Sequence, residues 1–182
     1  MNSFLSGTRK LFIHYKNLAE KTLSQISDDQ FFHQQGAENS VAVIVQHMAG
    51  NMKSRFTDFL TTDGEKPWRN RDGEFEAPTL SRAALMQQWD QSWKLLLDLL
   101  DDLSEDDLSK TVYIRNEGHS VPDALLRQLA HYSYHVGQLV HAAKLMTGDA
   151  WQALSIPKGG SESYNAVKFA QAKTDRHFTD QI

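Results

Sequence analysis

The sequence of 182 residues contains no cysteine, and this absence excludes disulfide bonds, thiolate metal sites and a cysteine nucleophile. Long apolar runs are also missing: stretches such as LLLDLL fall far short of the roughly 20 residues that a membrane-spanning helix needs. The N-terminal residues carry charges throughout and lack the apolar region of a signal peptide. These absences fit a reducing compartment, and we expect a cytoplasmic protein without a membrane partner.

Charge of neither sign dominates the composition. The formal net charge is -4 and the isoelectric point is near 6.0, so we expect neither nucleic acid nor anionic lipid as a partner. With 40% hydrophobic and 23% charged residues, 4 prolines and 10 glycines, the composition is typical of a soluble globular protein. A chain of this length can bury one continuous core, so we expect residues 1–182 to form a single domain.

Four long segments carry apolar residues at helical spacing. In the third segment, Leu85, Trp89, Trp93 and Leu96 follow one another at steps of three or four residues, which places them on one helix face. We expect the two tryptophans to pack in a core or an interface. Because little of the sequence favours strands, we predict an all-α protein built as a four-helix bundle. The four segments span residues 3–26, 40–60, 79–103 and 121–146.

The connections between these segments also carry signals. The mostly polar connection of 18 residues, 61–78, makes a loop that is long for such a bundle, and long loops of this kind are often functional. Residues 110–121 place β-branched and aromatic residues around Asn116-Glu117-Gly118, which predicts a small hairpin before the fourth helix. The tail from about residue 150 is expected to be partly irregular, with a short helix after Gly160.

The sequence HYSYH in the fourth segment places His131 and His135 one helical turn apart on the same face. Two imidazoles at this spacing can hold one metal ion, but two ligands do not make a site. His47, which stands among apolar residues in the second segment, is the candidate third ligand. Three histidines would leave a fourth position open, as in catalytic zinc sites. The pair lacks the glutamate of H-E-x-x-H, and partly buried histidines satisfied by hydrogen bonds are the alternative interpretation.

Two long stretches resemble a known family. These are NSVAVIVQHMAGNMKSRFTDFLTTDGEKPWRNRDGEFE and LLRQLAHYSYHVGQLVHAAK, and they resemble the DinB-like superfamily, which includes YfiT-like metal-dependent hydrolases and bacillithiol transferases. Within it, the chain is most similar to a Bacillus-type branch. The resemblance covers nearly the whole chain, from the first helix to the sequence IPKGGSESYN.

The resemblance implies a DinB/YfiT-like four-helix bundle, often a homodimer, in which three histidines hold a divalent metal ion. The ligand positions map onto His47, His131 and His135, and Zn²⁺ or Ni²⁺ is the expected ion. Such a metal ion can activate water for attack on an amide or similar carbonyl, or activate a low-molecular-weight thiol for transfer to an electrophile. The resemblance therefore implies a hydrolase or a thiol S-transferase that acts on a small-molecule substrate.

Further candidate residues follow from helix phase and from the long loop. Three polar side chains are expected near the histidines, where they can orient a ligand or substrate, or simply be satisfied between helices. Three loop residues can form a lid that recognises an anionic substrate, or a solvated loop anchored by its tryptophan. The first three, which are also the catalytic candidates, are Asn51, Gln128 and Gln138; the loop residues are Trp68, Arg69 and Arg71.

The sequence leaves open two alternative hypotheses about function, each from another functional class. In the first, the chain is a non-catalytic metal-binding or ligand-binding module of a stress response. In the second, it is a helical interaction protein that binds no metal. An exchangeable water at the open metal position would distinguish an enzyme from the non-catalytic module. Stoichiometric metal in the purified protein would distinguish a metal-binding protein from the interaction protein.

Overall fold

A computed structural model describes residues 3–34 and 36–181. The chain is mostly helical, as the sequence predicts. In the described part of the chain, no helix is both long and apolar enough to cross a membrane. The α-helices are α1 (Phe4–Leu23), α2 (Asp28–Phe32), α3 (Val41–Phe56), α4 (Arg82–Asp102), α5 (Val121–Thr147) and α6 (Ser161–Phe169). Short 3₁₀ turns lie at Asp72–Phe75, Glu105–Ser109, Gly148–Ala150 and Phe178–Gln181.

Serine side chains begin all four long helices. Ser3, Ser40, Ser81 and Ser120 each accept a hydrogen bond from a backbone N–H in the first turn, at 3.2 to 3.3 Å. Such caps satisfy an N–H group that has no partner within the helix. The helices therefore begin close to the predicted positions.

Helix α3 ends four residues before the predicted residue 60. Thr57 is extended, with ψ of 126°, and Asp58 has a positive φ of 48°. Neither conformation continues a helix, and the apolar spacing alone gave no indication of this end.

Helix α2 is an element that the apolar pattern did not predict. It begins with a capping box, in which the Ser27 hydroxyl accepts from the Gln30 N–H and the Gln30 side chain accepts from the Ser27 N–H. The sequence Ser-Asp-Asp-Gln carries this signature and could have revealed the helix.

The long helices pack around a continuous apolar core. Helix α3 lies against α4, α1 lies against α5, and weaker contacts join α3 to α5 and α1 to α4. Trp89 and Trp93 are fully buried, as expected, and Trp93 makes edge contacts with the rings of Phe12 and Tyr132. Helix α3 is buried on most of its surface, whereas α5 buries a smaller part of its residues. His47 lies on α3, and His131 and His135 lie on α5.

The predicted hairpin is present. Strands β1 (Thr111–Ile114) and β2 (Glu117–Ser120) pair antiparallel, with Thr111 opposite Ser120 and Ile114 opposite Glu117. The two loop residues, Arg115 and Asn116, both have positive φ, at 56° and 63°. This is the conformation that two-residue type I′ turns require, and Asn favours it. The turn therefore lies slightly earlier than the predicted Asn116-Glu117-Gly118.

The long connection is docked on the hairpin. The two carboxylate oxygens of Asp63 accept hydrogen bonds from the N–H groups of Arg115 at 2.9 Å and Asn116 at 2.8 Å. The Gly64 N–H donates to the carbonyl of Tyr113 at 2.8 Å. Burial raises the pKa of Asp63, but backbone N–H donors outweigh burial and lower it overall, so the carboxylate is ionised at neutral pH.

Substitution of Asp63 by alanine tests this docking. We expect Asp63→Ala to reduce the free energy of unfolding by about 1–3 kcal/mol, because two turn N–H groups lose a charged acceptor. Asp98→Ala is the control, because Asp98 makes only an exposed ion pair with Lys94, and such pairs contribute below about 1 kcal/mol. Urea denaturation measures both variants. Equal losses would show that Asp63 does not fix the connection.

Candidate metal centre

Three histidines converge between α3 and α5. His47 lies on α3 and is 3% exposed, while His131 and His135 lie one turn apart on α5. The Nε2 atom of His131 lies 3.4 Å from that of His47 and 2.9 Å from that of His135. One nitrogen from each ring lies within 4.8 Å of the other two, which is close enough to hold a metal ion.

The opposite ring nitrogens of two of these histidines are engaged. The Nδ1 atom of His47 lies 2.9 Å from Oε2 of Glu74, and Nδ1 of His135 lies 2.8 Å from Oε1 of Gln138. Both oxygens are acceptors, so each Nδ1 carries a proton, and in the neutral ring Nε2 then keeps its lone pair. Metal-binding histidines are oriented in this way in proteins.

The electrostatics favour uncharged rings. Burial, together with the proximity of the other histidines, lowers the pKa of His131 to about 3. Burial likewise lowers the pKa of His135 to about 4, although the hydrogen bond with Gln138 opposes the shift. Neutral imidazole is the form that binds a metal ion. The cluster therefore fits a divalent metal ion, because its donor atoms are imidazole nitrogens, these atoms converge, and the rings of His131 and His135 are neutral.

Glu74 belongs to a buried network of charges. Its side chain is 9% exposed, and Arg69 donates to both of its oxygens at 2.7 Å. Burial raises the pKa of Glu74, but Arg69 and His47 outweigh burial and lower it overall. Arg69 also contacts Glu65 at 3.1 Å, and Glu65 contacts Arg55 of α3 at 3.0 Å. The network joins the 3₁₀ turn Asp72–Phe75 to α3.

A glycine makes room for Glu74. A Cβ atom at Gly50 of α3 would lie 2.5 Å from Oε1 of Glu74, inside the van der Waals contact distance. Glu74 cannot move aside freely, because Arg69 holds both of its oxygens. The absence of a side chain at position 50 therefore allows the carboxylate to reach His47 one turn earlier on the helix.

The histidines lie at a cavity of about 390 Å³. The cavity is also lined by Asn51, Gln128 and Phe75, and by five arginines. Its size falls within the range of small-molecule sites.

The polar candidates from the sequence lie near the histidines but differ in their contacts. Asn51 lines the cavity and accepts a hydrogen bond from the Tyr132 hydroxyl at 3.0 Å. Gln128 also lines the cavity, and its buried Oε1 has no hydrogen-bond partner among the described residues. Gln138 holds His135. Gln138 thus orients a candidate ligand, while Asn51 and Gln128 lie where they could meet a substrate.

The three candidate residues of the loop differ in their positions and contacts. Arg71 lines the cavity, with its guanidinium 5.0 Å from the centre of the Phe75 ring. Arg69 also lines the cavity, but its donors are used by Glu74 and Glu65. Trp68 lies outside the cavity, is 54% exposed and meets the ammonium group of Lys53. The structure therefore does not bring Trp68 to the site, whereas Arg69 and Arg71 do line the cavity.

Sequence reasoning missed Glu74 and three arginines of the cavity. Glu74 lies 27 residues from His47 in the chain, and no periodic pattern connects them. Arg127 stands four residues before His131 on α5, so helix phase could have placed it at the site. Arg55 and Arg115 come from the end of α3 and from the hairpin turn, and only the folded chain brings them to the cavity.

The fold and the cluster define a mostly helical protein with a candidate three-histidine metal centre. Residues 1–160 match the family described as "Protein of unknown function (DUF1572)", and the chain belongs to this family. The matched range contains the three histidines, Glu74 and Gln138, and it ends just before α6. No curated protein and no solved structure matches the chain.

Enlarging Gly50 tests the importance of Glu74 for the centre. We expect Gly50→Ala to weaken binding of Zn²⁺ by about 10- to 100-fold, because the new Cβ displaces the carboxylate that orients His47. The change should not unfold α3, because alanine favours a helix over glycine by about 1 kcal/mol. Competition with a chromophoric chelator gives the dissociation constant.

Gly137→Ala is the matched control, because a Cβ at Gly137 of α5 would meet nothing within 4 Å. It should keep the wild-type affinity for Zn²⁺. If both glycine variants bind Zn²⁺ equally well, the contact between Glu74 and His47 does not support the centre.

Lowered histidine pKa values imply a dependence of stability on pH in metal-free protein. The pKa values of His131 and His135 fall from an ordinary 6.5 to about 3 and about 4, so below pH 6.5 the unfolded chain binds protons that the folded chain does not. We therefore expect the free energy of unfolding to fall as the pH decreases from 7 to 5. His131→Gln, which cannot titrate, should lose less over this range in urea denaturation. The same loss in both proteins would refute the contribution of His131.

Proposed function

We propose that the chain is a divalent-metal-dependent enzyme with a DinB/YfiT-like four-helix bundle fold, in which His47, His131 and His135 hold Zn²⁺ or Ni²⁺. The observation that carries the proposal is the convergence of three Nε2 atoms, two of them on rings whose Nδ1 atoms are engaged by Glu74 and Gln138. Histidines that merely pack in a core have no need for such convergence. Imidazole nitrogen suits both ions, so the donor set does not choose between them.

The reaction class follows from the three-histidine donor set. When bound, a divalent ion on three neutral imidazoles supplies Lewis acidity that activates water or a thiol at neutral pH. Glu74 and Gln138 hold the rings of His47 and His135 in position, and Asn51 and Gln128 present amide groups to the cavity. We therefore propose a hydrolase or a low-molecular-weight-thiol S-transferase. In the second case the thiol must be a substrate, because the chain has no cysteine.

The alternative is a non-catalytic module that binds a metal or a ligand in a stress response. Both proposals use the same three histidines, and they differ in whether a coordination position stays exchangeable. A cavity that reaches the histidines supports the enzyme, since a substrate can approach them. The homodimer and the cytoplasmic location stay predictions.

Metal content tests the centre. We expect the purified protein to bind one equivalent of Zn²⁺ or Ni²⁺, and His47→Ala to reduce affinity by more than 100-fold. His141→Ala is the control, because His141 is exposed on α5 and lies outside the cluster. Elemental analysis and equilibrium dialysis measure the stoichiometry and the affinity. An unchanged metal content in His47→Ala would refute the proposed ligand set.

Reactivity separates the enzyme from the module. We expect the metal-loaded protein to turn over either an amide substrate or a thiol with an electrophile, and Co²⁺-substituted protein to show an absorption change when an anion replaces water. If no coordination position exchanges and neither class of substrate reacts, the non-catalytic module takes the place of the enzyme.

A further inference from the structure

The cavity at the histidines has a strongly positive lining. Five arginines contribute to it, and no aspartate or glutamate is among its lining residues in the described part of the chain. The whole chain carries a net charge of -4, so this concentration of guanidinium groups runs against the general composition. The arginines are Arg55, Arg69, Arg71, Arg115 and Arg127.

Two of these arginines form hydrogen bonds and ion pairs with other groups of the protein. Arg69 binds Glu74 and Glu65, and Arg55 binds Glu65 and the carbonyl of Gly64. Both arginine side chains are buried, and carboxylates pair with both of them; Nε of Arg55 is buried without a hydrogen-bond partner among the described residues. They build the wall of the cavity and are not the groups that would receive a ligand.

The other three arginines keep donors for a ligand. Arg115 reaches Glu65 only at 3.3 Å, and its side chain is 54% exposed. Arg71 has a long contact of 3.4 Å with the exposed Asp72. Arg127 lies 2.6 Å from the Nε2 atom of His119, and no carboxylate pairs with it among the described residues. We call these three residues the arginine rim.

The arginine rim and the histidines give the cavity two chemically different parts, one with guanidinium groups and one with imidazole nitrogens. Arg127, His131 and His135 follow one another at four-residue steps on α5, so they lie along one face, with about 6 Å of helix rise between neighbours. Arg71 comes from the long connection and Arg115 from the hairpin turn. A ligand of a few carbon atoms can therefore reach from the rim to the histidines.

We propose that the arginine rim binds an anionic group, a carboxylate or a phosphate, at one end of a small substrate and so directs the other end to the histidines. Its role as a substrate site depends on the enzyme proposed above, whereas the binding of an anion does not. Guanidinium groups bind the paired oxygens of these anions with two parallel hydrogen bonds. Confinement in a cavity strengthens the attraction relative to an open surface.

Titration calorimetry with small probes tests the proposal. The probes are succinate, inorganic phosphate and the uncharged succinamide, each added at low ionic strength to Zn²⁺-loaded protein and to protein freed of metal and chelator. We expect succinate or phosphate to bind in both preparations and succinamide not to bind. Arg127→Gln should weaken anion binding by about 10- to 100-fold, because a charge-assisted contact is lost. Glutamine is a good helix former, so α5 should remain intact.

The matched control is Arg176→Gln, which removes the same charge from an exposed tail residue outside the cavity and should leave anion binding unchanged. A preference for phosphate or for succinate would support the proposal and identify the anion. Equal binding of succinate and succinamide, or an unchanged affinity in Arg127→Gln, would overturn it. The Zn²⁺ content of the Zn²⁺-loaded preparation is measured in parallel: if the protein binds the anion but takes up no stoichiometric Zn²⁺, the proposed enzyme is refuted and the arginine rim stays in place.

Discussion

The buried ion pair between Glu74 and Arg69 is the interaction on which the candidate site depends. It fixes an acceptor against His47, and through Glu65 it also ties the long connection to Arg55 of α3. Burying such a pair has a desolvation cost, so it does not by itself make a protein stable. Removal of one partner of a buried pair costs about 3–5 kcal/mol where the other charge is left uncompensated. Here Glu65 would still face Arg69, and His47 would still face Glu74, so part of that cost is relieved. The pair therefore enforces one arrangement of the loop.

The site combines two kinds of structure. The packed helices α3 and α5 supply the three histidines, whose positions follow from the apolar core around them. The hairpin adds Val112 and Ile114 to that core. The connection and the hairpin also supply charge: Glu74 orients His47, and Arg115 lines the cavity. The helices thus determine which nitrogen atoms are available to coordinate a metal ion. The irregular segments set the electrostatic surroundings of the histidines.

Helical periodicity predicted most of the long helices, and helical spacing predicted the pair His131 and His135, because both are visible along the chain. His47 was a candidate only because it stands among apolar residues, and the family resemblance implied the full set of three. The hairpin was also predicted, from β-branched residues around a turn. The end of α3 was not, since it depends on the backbone conformation of Thr57 and Asp58. Glu74 gave no signal either, because its contact with His47 bridges 27 residues and depends on the space that Gly50 leaves. The placement of Trp68 on the outside follows from the same docking of the connection.

The docked connection has a consequence for access to the histidines. Asp63 holds the hairpin turn, Gln46 of α3 donates to the carbonyls of Gly73, Glu74 and Glu76, and the buried ion pair lies between these anchors. To swing the segment outward, the protein would have to break all three sets of contacts, so each of them opposes such a motion. In this arrangement of the segment, molecules enter and leave through the existing opening of the cavity. The side chains that line the cavity, five arginines among them, therefore select what comes near the histidines.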